Sequence, residues 1–149
     1  MKLVFLLTVL VCGVAAQCNT PWQDCGSTEV TINSVSIPNC CAAPCQITRG
    51  QSTNFTFSFT PKMDIANMTQ SVCGELTITC IKMPGFTSTD VCTYAQPSCP
   101  LKTGVKETVT VAVPVDKSFP SITITAKWTL TDSSTNKQVG CFSAVLKLV

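Results

Sequence analysis

Eleven cysteines and not one histidine stand among these 149 residues, and that combination narrows the available folds more than any other feature. A histidine-containing zinc site is excluded, and no two cysteines have the two-residue gap of a zinc knuckle, so no metal centre is expected. Crosslinking is the use that remains. Cys12 lies in an N-terminal stretch that reads as an export leader: Lys2 supplies the positive end, Leu3 to Val11 are apolar apart from Thr8, and Val14, Ala15 and Ala16 form a small-residue cleavage site. The leader is placed at residues 1–16 and a single domain at 17–149. Its apolar run is too short to span a bilayer. Ten cysteines then remain, namely Cys18, Cys25, Cys40, Cys41, Cys45, Cys73, Cys80, Cys92, Cys99 and Cys141, an even number that predicts full pairing in an oxidising compartment. The sequons at Asn54 and Asn67 fit export and predict surface positions for both asparagines.

A domain of about 130 residues is long enough to bury a real core. Period-two alternation, the mark of strands, runs through it. Val30 and Ile32 give way to Val35 and Ile37 after a phase shift, which predicts a bulge near Asn33 and Ser34. Phe55, Phe57 and Phe59 alternate with small polar residues and put three rings on one face. Leu76, Ile78 and Cys80 predict another strand, and Val109 to Val115 a further one. Ile122 to Leu130 and Val139 to Val149 complete the series. Proline and glycine mark the breaks, among them Pro38 to Pro44, Pro84-Gly85 and Pro97 to Gly104. Six or seven antiparallel strands without helical patterns predict an all-β fold, an immunoglobulin-like sandwich of two sheets stapled by disulfides.

Several function classes are excluded by what is missing. Without histidine, neither a Ser-His-Asp nor a Cys-His arrangement can be built. Asp64, Glu75, Asp90, Glu107, Asp116 and Asp132 are scattered singly, as solvated charges are, and do not suggest a paired-carboxylate cleft. No glycine-rich phosphate loop is present. Without Lys2 the nine basic residues nearly balance the eight acidic ones, and no basic run suggests nucleic acid. No enzyme and no cofactor are expected. The apolar fraction of 45% against 12% charged is high for an exported chain, and the surplus fits the lining of a cavity.

Four elements in order carry a family resemblance: Asp24-Cys25-Gly26-Ser27; Cys41-Ala42-Ala43-Pro44-Cys45-Gln46 with Arg49-Gly50-Gln51-Ser52; Val113-Pro114-Val115 leading to Phe119-Pro120-Ser121-Ile122; and Trp128 on a strand that runs toward Cys141. The sequence from Asp24 to Val149 thereby resembles the ML lipid-recognition family, most of all its Niemann-Pick type C2 branch of secreted sterol carriers, with the group 2 mite allergens as further members. The resemblance implies an apolar ligand cavity between the two sheets. It implies bridges Cys25–Cys141, Cys41–Cys45 and Cys92–Cys99. Cys18, Cys40, Cys73 and Cys80 are additions to the family pattern. Cys18 is paired with Cys40, with Cys40 and Cys41 free to exchange roles. In a regular strand Cys73 and Cys80 face opposite sides about 23 Å apart, so they are not expected to bond each other.

By the same resemblance, Phe86, Val115, Phe119 and Pro120 match the pocket entrance. The deeper lining would come from Phe55, Phe57, Phe59, Leu76, Ile78, Val111, Val113, Ile124 and Trp128, each of which also suits an ordinary core. Lys117 beside the entrance reads as a solvated lysine that an anionic headgroup or membrane surface could meet. The implied function is a monomeric carrier, extracellular or lysosomal, that binds a sterol or fatty-acid-like lipid. It would exchange that lipid with membranes or a membrane sterol transporter. A lipid-recognition module of innate immunity or chemosensation is the alternative, and an adhesion module with a filled core is a third. If acid releases the ligand, carboxylates such as Asp116 must titrate, since no histidine is present.

Overall fold

The computed structural model describes residues 18–87 and 89–149; the expected leader and its cleavage point lie outside them. In chain order the strands are β1 (Gln23–Asp24), β2 (Val30–Ser36), β3 (Cys45–Ile47), β4 (Gln51–Pro61), β5 (Met68–Glu75) and β6 (Cys80–Lys82), then a one-turn helix α1 (Val91–Tyr94), β7 (Ala95–Gln96), β8 (Glu107–Val115), β9 (Thr123–Asp132) and β10 (Lys137–Leu148). One sheet runs β1-β10-β9-β5-β6, with β3 laid parallel along β10; the other runs β2-β4-β8-β7. All other pairings are antiparallel. The result is a two-sheet sandwich, the fold class expected from the alternation. Among the described residues no helix is long and apolar enough to cross a membrane.

The inner faces follow from that alternation. Phe55, Phe57 and Phe59 on β4 and Val109 to Val115 on β8 face Ile124, Ala126, Trp128 and Leu130 on β9 and Phe142 to Leu148 on β10. The aromatic rings meet at the centre: Phe55 and Trp128 are 4.9 Å apart, Phe57 and Phe142 5.0 Å, and Trp128 stacks on Phe142 at 5.6 Å. The register of β2 against β4 shifts between Ile32 and Ser34, which lets the apolar residues on both sides of the bulge point inward.

The structure takes the exchanged pairing left open for Cys40 and Cys41, and corrects the expectation for Cys73 and Cys80. Cys45 bonds Cys40, not Cys41, and Cys41 bonds Cys18. Burial explains the choice: Cys40 and Cys45 both face the core, while their neighbour Cys41 points outward, as Cys18 does. Cys73 does bond Cys80. The strand that begins at Met68 ends at Glu75, residues 76–79 turn, and the return strand brings Cys80 opposite Glu75 with Cα atoms of the two cysteines 5.4 Å apart. The 23 Å estimate assumed a straight strand, and a hairpin stands in its place. Cys25 bonds Cys141 and Cys92 bonds Cys99.

Candidate functional site

The candidate site lies at the sandwich end where β8 leaves one sheet and β9 enters the other. Two turns build it. Pro84-Gly85 forms the first: proline pre-sets the backbone, Gly85 takes φ +79°, and the Phe86 amide donates to the Met83 carbonyl at 3.3 Å. The second begins at Asp116, whose Oδ1 accepts from the Ser118 amide at 2.7 Å, while the Phe119 amide donates to the Asp116 carbonyl at 3.2 Å. Pro114 is tolerated in β8 because β7 pairs only with Thr108 and Val109, so this stretch has a free flank. A Cβ on Gly85 would meet Pro114 Cγ at 3.5 Å, so the first turn lies against the end of β8.

An apolar pocket of about 110 Å³ opens on one side of these turns. Gly74, Ile124 and Leu148 form its floor from the sheet. Leu76, Ile81 and Met83 come from the β5–β6 hairpin, and Phe119, Pro120 and Ile122 from the β8–β9 loop. No charged or hydrogen-bonding side chain lines it. On the other side lies an open groove of about 560 Å³, lined by Gln51, Ser52, Val115, Asp116, Lys117 and Ser118 among others. Hydrogen bonds from the Ser118 amide and side chain hold the exposed Asp116 carboxyl below its ordinary value. Acid release through Asp116 is therefore disfavoured, because its titration is moved further from neutral pH. Among the described residues no cluster of cysteine, aspartate and glutamate is arranged to hold a metal ion.

The residues expected to line a cavity separate into three groups. Phe119 and Pro120 stand at the pocket with Ile124 and Leu76, although Leu76 is 51% exposed. Phe55, Phe57, Phe59, Val111, Val113, Val115 and Trp128 are buried between the sheets, and half-buried Phe86 brings its ring to 6.3 Å from Trp128. Ile78 is misplaced: it is 98% exposed at the hairpin turn and lines nothing. Its alternation with threonine continues through the turn, so the pattern carried no sign of the reversal. Sequence reasoning missed Gly74, Ile81, Met83, Ile122 and Leu148 as lining residues. It also missed Gln70, buried on β5, whose Oε1 accepts from Trp128 Nε1 at 3.2 Å and settles the one polar atom of that ring. Asn54 and Asn67 are both exposed.

The ML-domain family model matches residues 19–148. The chain is 31% identical over 130 residues to the ecdysteroid-regulated 16 kDa protein of Manduca sexta, covering 86% of this chain and 88% of that one. It is 29% identical over 138 residues to the NPC intracellular cholesterol transporter 2 of Mus musculus, covering 91% of each. Among solved structures, a Niemann-Pick type C2 protein from the Japanese carpenter ant superposes with a TM-score of 0.78 at 22% identity, over 87% of this chain and 99% of that one.

Proposed function

The chain belongs to the ML-domain family, and from that premise we propose that it is an exported carrier that takes up a sterol-like or fatty-acid-like lipid and exchanges it with membranes. The observation that carries this reading is the pocket between hairpin and loop, whose lining is wholly apolar. Such a site recognises by shape and by removing hydrocarbon from water, at about 25 cal/mol per Å² before association costs. A relative named as a cholesterol transporter, matched along 91% of its length, supports the same ligand class. Ligand sites usually enclose about 300–1,000 Å³, so admission of a lipid requires the 110 Å³ pocket to widen between its two walls.

The test is a competition titration of the delipidated protein with a fluorescent sterol and a fluorescent fatty acid. Saturable binding is expected, weakened about tenfold by Phe119→Ala, which removes an apolar wall worth on the order of 1–3 kcal/mol. Gly74→Val is expected to weaken it as well, since even a Cβ there comes within 3.0 Å of Ile124 Cδ1. Failure of both probes on folded protein would make the sandwich a filled one and end the carrier reading.

A further inference from the structure

The two walls of the pocket are fastened in different ways. The hairpin is closed covalently by Cys73–Cys80. The loop is tied at its ends by hydrogen bonds: the Gly50 amide donates to the Val115 carbonyl at 2.6 Å, and Ser121 Oγ donates to the Leu148 carbonyl at 2.9 Å. Between those ends Arg49, in the β3–β4 turn, reaches across 70 positions of sequence and donates from Nη1 to the Phe119 carbonyl at 2.6 Å. A charge-assisted bond this short is strong, and it lands on the residue whose ring walls the pocket. The Nε of the same guanidinium is buried without a hydrogen-bond partner. An orphaned buried donor raises the free energy of the closed arrangement, and opening the loop to water relieves it. The contact therefore both holds the loop and limits how firmly it is held.

We propose that Arg49 is the latch of the Val115–Ile122 loop, a positioning residue that sets how fast lipid passes without binding it. Arg49 lines neither the pocket nor the groove. The hairpin is crosslinked across its turn, so the loop is the wall free to swing when the pocket widens. The inference rests on the carrier reading and adds to it the residue that controls exchange.

Stopped-flow uptake and release of the fluorescent fatty acid, with equilibrium titration beside it, tests the latch on the full chain. Arg49→Met keeps the apolar stem and removes the donors; association and dissociation rates should both rise about tenfold while Kd moves by less than about twofold. Arg49→Lys keeps one donor without the planar fork and should fall between, about threefold faster than wild type. Without lipid, hydrogen exchange at residues 117–121 should quicken in the same order. Unchanged rates in Arg49→Met, or in Arg49→Lys should Arg49→Met not fold, overturn the latch alone. A weaker Kd with an unchanged association rate also overturns it, by making Arg49 a binding contact. A wild type that binds neither fatty acid nor sterol overturns the carrier reading and the latch with it.

Discussion

Glu107 is fully buried at the start of β8, opposite Phe59 and at the far end of the strand from Val115. Its Oε2 has no hydrogen-bond partner, and burial pushes its carboxyl up from the ordinary value. A group raised in this way contributes stability at pH values below its unfolded value of 4.5 and loses that contribution as pH rises through the folded value. The domain should therefore carry an electrostatic cost at neutral pH that acid removes. Glu107→Gln is expected to raise Tm at pH 7 by roughly 2–4 °C, about 1 kcal/mol, with the advantage shrinking as pH falls toward 4. Melting curves at several pH values check it; an advantage that grows on acidification would contradict the assignment. Asp132 behaves in the opposite sense: hydrogen bonds from Ser134 lower it, so the stability it adds is present above its ordinary value and is lost as pH falls through the lowered one.

The elements differ in how openly the chain announces them. Phe55, Phe57 and Phe59 could be read directly because from Phe55 to Thr60 phenylalanine alternates strictly with Thr or Ser. Strand β5 obeys the same geometry, with Met68, Gln70, Val72 and Gly74 inward, yet an amide and a glycine on the core face hide its period from hydrophobicity. The apolar alternation appears only beyond it, at Leu76 and Ile78, where the chain is already turning without proline or glycine. The site inherits this: the Phe119 loop was legible from its turn residues, whereas Ile81 and Met83 depended on a hairpin whose start could not be seen. The bond that closes the hairpin spans 7 residues, and the chain-entropy estimate for so short a loop is about 2–3 kcal/mol. Urea unfolding of Cys73→Ser/Cys80→Ser should show a loss of that size, with Leu76 and Ile81 loosened at the pocket.

Across the whole molecule each sheet draws strands from both halves of the chain, and β10 is the hub, paired with β9, β1 and β3. Cys25–Cys141 spans 116 residues, so its removal in Cys25→Ser/Cys141→Ser should cost about 4–5 kcal/mol, close to twice the loss for the hairpin pair. A smaller loss than for the hairpin pair would mean that the unfolded chain keeps those ends together without the bond. This wiring also governs how the molecule matures. Neither sheet can be assembled from one half of the chain, so oxidation must run while many thiols are still searching for partners. Cys40 and Cys41 are neighbours with different partners, Cys45 and Cys18, and an exchange between them yields an isomer with the same loops nearly closed. Only burial of Cys40 in the finished core separates the two isomers. The native pairing of two adjacent thiols therefore turns on which of them the finished core covers.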